Sequence, residues 1–209
     1  LVRLHDFGGT LDAQLGPGWK RAAESCQVLD LSDDAHALFA SAFTSQNRNK
    51  IRKAEKAGVS VRRAHGGEAL GRYAALYRES ARRWRLTRAL PASLFAALAD
   101  AGPGVDVWLA ERDGETVAAL LNLRGGGQIM NWGNVSRRDA WRFAPNNLLH
   151  WRAIEDACLD REGPRLYNFG SSAGLPGVHA FKSAFGAREH RYVRLESVAT
   201  WVSWIRRRT

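Results

Sequence analysis

Residues 165–187 read RLYNFGSSAGLPGVHAFKSAFGA, and this stretch decides the fold. Leu166, Tyr167, Asn168 and Phe169 form a short β-prone run, ended by the turn signal Gly170-Ser171-Ser172. After a small-residue loop, Pro176-Gly177 opens a helix on which Phe181 and Phe185 lie four apart and therefore share one face. Gly186 closes that helix, as glycine does just past a C-terminus. Lys182 sits beside the aromatic pair, close to where the strand must end.

A strand, a small-residue loop and a short helix carrying F-K-x-x-F-G resemble the C-terminal signature of FemAB-like acyltransferases, which have the GNAT fold of N-acyltransferases. A second segment, RNKIRKAEKAGV at 48–59, resembles what these proteins place just before their C-terminal GNAT unit. The resemblance spans nearly all of residues 26–197. It implies an α/β fold with a central, mostly antiparallel mixed sheet flanked by helices. FemAB-like proteins usually hold two such units and one is visible here, which implies an upstream unit lost, cleaved or outside this sequence.

The rest of the chain agrees with that frame. Cys26 to Leu31 alternates as a strand, and Ser32 or Asp33 caps a helix burying Ala35, Leu38, Phe39 and Ala42. Val59 to Arg63 is a strand, followed by a helix with Leu70, Tyr73, Tyr77, Ala81 and Trp84 on one face and a second helix opened by Pro91. Three strands then follow: Val105–Ala110, Thr116–Leu123 and Gln128–Asn134. Asp113-Gly114 and Gly125-Gly126-Gly127 join them as an antiparallel meander. A long helix opens at Asn146-Asn147, and a final strand runs from His190 to Glu196. The expected organisation is an irregular segment 1–25, a linker strand and basic helical arm 26–58, a GNAT-like domain 59–197 and an amphipathic helix 198–209.

Composition sets outer bounds. The 209 residues carry a net charge of +10, which suits a polyanionic partner such as tRNA, a CoA pyrophosphate or anionic lipid, or simply a solvated basic surface. No apolar run approaches the roughly 18 residues of a membrane span. Cys26 and Cys158 show no ligand spacing, which points to a reducing, cytoplasmic setting. Hydrolase elbows and metal-binding motifs do not occur, so no resident metal or permanently bound cofactor is expected. Trp201 beside Arg206-Arg207-Arg208 makes the last helix a candidate for a second subunit or a membrane surface.

Acyl transfer to an amine needs a polarised carbonyl, a deprotonated amine and a means of holding both. By resemblance Lys182 is the catalytic cation, stabilising the oxyanion or an adjacent phosphate. The donor side is expected at the start of the long helix, whose free N–H groups bind anions: Asn146 and Asn147, with Arg137, Arg138, Trp141 and Arg142 just before them. This chain has no glycine between Val135 and Gly163, where acetyl-CoA enzymes place a Gly-rich loop. Three arginines and a tryptophan suit a nucleic-acid backbone and base instead, favouring aminoacyl-tRNA over acyl-CoA as co-substrate. Arg48, Arg52 and Lys56 form a stripe at steps of four, expected on the same side as Lys182 and facing a phosphorylated acceptor. Trp132, Asn134, Tyr167 and Phe181 are placed by position along the acceptor site. No carboxylate lies on the strands Gln128–Val135 or Leu166–Phe169, so the proton is expected to leave through substrate or water. The function read from this is an amide-forming acyltransferase acting on a cell-envelope precursor or small metabolite. A non-catalytic GNAT-fold binding module for tRNA, lipid or a protein is the alternative.

Overall fold

The computed structural model describes residues 2–15 and 18–197. In chain order the elements are β1 (Val2–Asp6), α1 (Thr10–Gln14), β2 (Lys20–Asp30), α2 (Ala35–Ser41), α3 (Ser45–Lys56), β3 (Ser60–Ala64), α4 (Gly66–Arg83) and α5 (Ala92–Ala99). They continue as β4 (Val105–Arg112), β5 (Glu115–Gly125), β6 (Gln128–Ser136), α6 (Pro145–Leu159), β7 (Leu166–Asn168), α7 (Pro176–Ser183) and β8 (Arg188–Ser197). The strands form one sheet in the order β1-β8-β2-β7-β6-β5-β4-β3, parallel only between β6 and β7. The proposed amphipathic helix 198–209 lies outside the described residues.

The meander forms where its turn residues demand. Asp113 and Gly114 both have positive φ, as do Gly126 and Gly127, the backbone that two-residue hairpin turns of matching twist require. β5 is buried on both faces. Ala118 and Leu120 join a cluster with α2, α3, α6 and α7, whereas Ala119 and Leu121 join a second cluster with α4 and α5. Helices thus cover the sheet on both sides, and the aromatic face expected on α4 is buried except at Trp84, half-exposed at its end.

Within the stretch expected to be irregular, 1–25, lie β1, α1 and the first half of β2. Lys20-Arg21-Ala22-Ala23-Glu24-Ser25 has no apolar alternation, so its strand character comes from its partner. Lys20 to Val28 pairs antiparallel with Glu196 to Arg188, and Glu24 accepts hydrogen bonds from Tyr192 and Arg194 across the ladder. α2 starts one residue later than expected, with Asp34 as its cap: Oδ1 accepts from Ala37 N–H at 2.9 Å.

Two features shape the sheet's centre. In β6, Gly133 pairs with Leu121 but Asn131 pairs with Asn122, so Trp132 is one residue too many and the strand bulges there. Next to it, β6 and β7 pair only from Gln128–Leu166 to Met130–Asn168. Beyond that β6 runs on to Ser136 while β7 has ended, and the two part.

An ion network ties the other half together. Asp106 of β4 is fully buried and accepts from Arg63 Nε and Nη2 at 3.0 and 2.7 Å and from Arg124 Nε. Both arginines also reach Asp156 of α6 at 3.1 Å. Glu155, the neighbour of Asp156 on α6, is engaged by Arg152 at 2.6 Å. Removing one partner of a buried pair strands the others. Asp106→Ala is expected to lower the unfolding free energy by ~3 kcal/mol. Asp156→Ala, at a carboxylate 37% exposed, should cost less than about 1 kcal/mol. Urea unfolding of the two variants checks the contrast.

Candidate functional site

Where β6 and β7 part, a cavity of about 210 Å³ opens between β6, the start of α6 and α7. Its polar wall is Asn131 and Asn134 from β6, Asn146 and His150 from α6, and Lys182 from α7, with Phe181 beside them. Strand side chains three apart point to opposite faces unless a residue is inserted between them. The bulge at Trp132 is what puts Asn131 and Asn134 on one side together.

Lys182 is only 7% exposed. Its ammonium donates to the Gly170 and Ser171 carbonyls, each at 2.8 Å, which leaves one of its three N–H bonds uncommitted among the described residues. Burial pulls its pKa down from 10.5 to about 8. The aromatic pair around it anchors α7. Phe185 is fully buried against Phe43, Phe169 and His150, and Phe181 packs edge-on to His150. Gly186, at φ +81°, lies so close to Ala42 that a Cβ would meet it at 2.7 Å, so only glycine lets the chain leave α7 there. Asn168 braces the facing turn, accepting from Gly170 N–H at 2.8 Å.

His150, buried among these rings, is the residue sequence reasoning passed over. Its Nδ1 lies 3.0 Å from the Tyr167 hydroxyl, and burial together with the Lys182 charge pushes its pKa down to about 3. It is a neutral imidazole at physiological pH.

The start of α6 is free of side-chain capping. Its N-cap, Ala144, adopts the left-handed backbone (φ 55°), and Pro145 follows at the first helical position. Asn146 donates to Ser136 Oγ at 3.3 Å, a hydroxyl shared with Trp141 Nε1 at 3.0 Å. The Asn146 amide oxygen is buried with no partner among the described residues. Trp141 is 52% exposed, with the Arg83 guanidinium 5.2 Å from its ring centre and that arginine held by the Ser136 carbonyl at 3.1 Å. Arg138 is exposed, and Arg142 lies over Phe143.

Of the residues expected in the site, Lys182, Phe181, Asn134 and Asn146 come together. The others go elsewhere, for identifiable reasons. Asn147 turns away and donates to Asn47 Oδ1 at 2.7 Å, locking α6 to α3. Tyr167 is entirely buried as the partner of His150. Trp132 packs with the α4 and α5 cluster on the far side of β6. Arg137 is engaged by Glu115 and Asp139. Arg48 turns back onto the Ala40 and Phe43 carbonyls, Arg52 lies over Phe39, and Lys56 is exposed; none of the three lines this cavity. One signal for Asn131 stood in the sequence: an isolated glycine, Gly133, inside a strand pattern marks a bulge. His150 and Arg83 had no such marker.

Among the described residues no group of His, Cys, Asp and Glu side chains could hold a metal ion, and no helix is long and apolar enough to cross a membrane.

Comparison with known proteins matches this architecture. FemX superimposes with a TM-score of 0.73 at 15% identity, over 94% of this chain and 70% of its own. The C-terminal DUF2156 domain of an Agrobacterium fabrum protein gives 0.65 at 11% identity, over 97% and 69% of the two chains. L-PGS from Bacillus licheniformis gives 0.58 at 13%, over 90% and 65%. No curated protein matches the chain. These likenesses concern the fold. Residues 41–183, however, match the family model described as the acetyltransferase (GNAT) domain, from the last residue of α2 through the end of α7, and the chain belongs to that family.

Proposed function

We propose that the chain is an amide-forming acyltransferase whose donor carbonyl lies in the gap between β6 and β7 beside Lys182. The observation that carries this reading is the ammonium itself, buried at the end of β7 with one N–H uncommitted and facing a cavity walled by neutral amides. A cation held so that it need not reorganise is worth most where negative charge develops on a carbonyl oxygen. His150 is too weak a base to hold the amine's proton at neutral pH, and no carboxylate lines the cavity among the described residues. The proton therefore leaves with the donor's departing atom.

For the donor we favour aminoacyl-tRNA over acyl-CoA. Residues 136–144, between β6 and α6, contain no glycine. What stands there is Trp141, its ring exposed and backed by Arg83, with Arg138 and Arg142 beside it: a face for a stacked base and its phosphates. The start of α6, which carries no side-chain cap, adds the positive end of the helix dipole at the same place. The acceptor is an amine, and the buried thiols Cys26 and Cys158 suit the cytoplasm. The two carbonyl bonds of Lys182 favour a second reading, in which the lysine only braces the Gly170 turn of a binding module.

Kinetics separate the two. Lys182→Ala should retain the fold and lose ~10²-fold or more in transfer rate. With a pKa of about 8 the lysine is charged below that pH, so the wild-type rate should fall as pH rises through about 8. A profile flat from pH 7 to pH 10 makes Lys182 a brace only. Binding of charged tRNA should weaken steeply between about 50 and 200 mM salt through loss of counterion release. Tight, salt-insensitive binding of acetyl-CoA with none of tRNA overturns the donor assignment.

A further inference from the structure

On the opposite side of β6 from Lys182 lies a second cavity, of about 290 Å³, walled by Tyr73 and Tyr77 of α4, Trp84, Leu90 and Trp132. It meets the first at Asn134, which lines both. The rings are held in place from behind. Phe95 of α5, itself buried, touches Tyr73, Tyr77 and Trp132 with ring centres 5.8, 5.4 and 6.4 Å apart. Tyr77 Oη accepts from Leu90 N–H at 3.1 Å and so fixes the loop after α4 as one wall.

One polar atom stands out in this box. Tyr73 is 2% exposed, and its hydroxyl makes no hydrogen bond among the described residues. A Cβ at position 133 would lie 2.7 Å from that oxygen, so Gly133 is what allows it to rest against the bulged strand. Burial and the neighbouring Tyr77 push its pKa up, so it remains a neutral phenol able to give or accept one hydrogen bond.

We propose that this cavity takes the acceptor, and that the acceptor is a small primary amine on a flat, uncharged aromatic body, its nitrogen directed by Tyr73 toward the gap at Asn134. The proposal rests on the acyltransferase reading and adds the substrate class. Volume supports it: at about 30 Å³ per atom, the share of a water in the liquid, the cavity holds roughly ten non-hydrogen atoms. So does polarity, because no charged side chain lines it among the described residues. Aromatic walls pair edge-to-face or offset with a flat ring, and a sugar or a peptide backbone would leave polar groups unpaired there. Desolvation also favours the neutral, nucleophilic amine over its ammonium. In the reaction the nitrogen lone pair attacks the acyl carbonyl carbon and a C–N bond forms. The bond from that carbon to the donor's leaving oxygen breaks, and the amine proton passes to that oxygen.

Titration calorimetry with 2-phenylethylamine, set against cadaverine and ethylbenzene, tests the site without turnover. 2-Phenylethylamine should bind at least about 10-fold more tightly than cadaverine. Trp132→Ala, and Trp84→Ala at the exposed rim where folding is not at risk, should each weaken it by about 5–10-fold. Tyr73→Phe keeps the ring and removes only the hydroxyl. It should weaken the amine by about 5-fold and leave ethylbenzene unchanged. Equal affinity for the two amines, or binding indifferent to both tryptophan substitutions, overturns the proposal. The expected binding pattern without amide product from either aminoacyl-tRNA or acyl-CoA supports an aromatic-amine site and overturns the acyl-transfer reading instead.

Discussion

The parallel contact between β6 and β7 ends at Met130 and Asn168, and the candidate site exists only because it ends there. A sheet whose strands stay paired has no room for a ligand between them, because the backbone groups are already satisfied by one another. Here the ladder stops while β6 continues, and the bulge at Trp132 turns its neighbours: Asn131 and Asn134 to one side, Trp132 to the other. Two cavities of different character result, one lined with amides and an ammonium, the other with rings. They meet at a single residue. The helices that flank the gap then need only present their ends, α6 its uncapped start and α7 its lysine.

The two carbonyls of the Gly170 turn make a buried ammonium tolerable. Desolvating a lysine is costly, and these hydrogen bonds offset part of that cost while the phenylalanine rings hold α7 in place. Burial, helped by the same charge, keeps His150 neutral, so the site holds one cation and no second titrating group near pH 7. The electrostatics are therefore simple: a fixed positive point among uncharged polar groups.

Much of this was legible in the sequence where local chemistry is decisive. Asp113-Gly114 and the three glycines at 125–127 mark the hairpins, the spacing of Tyr73, Tyr77 and Ala81 marks α4, and Phe181, Lys182 and Phe185 mark the site's anchor. The failures share a cause. Lys20 to Ser25 has no strand pattern because its ladder is made by a partner far along the chain. Asn147 and Tyr167 have the right residue type near the site, and only tertiary packing decides that one faces α3 and the other His150. Trp132 and Asn134 look like same-face neighbours in any alternating pattern, and one inserted residue separates them. Side-chain direction at a bulge is a property of register, which strand propensity does not encode.

β2 has a consequence for how the molecule is assembled. It lies between β7 and β8, so Lys20 to Val28 must be paired with residues 160 or more positions later before the sheet closes. The meander and its helices rest on local contacts and can form early, but this half of the sheet waits for a long-range search. As the chain leaves the ribosome the β2 ladder edge stays open until β8 has followed it, so β2 is exposed to wrong pairing for as long as the residues between the two take to be made.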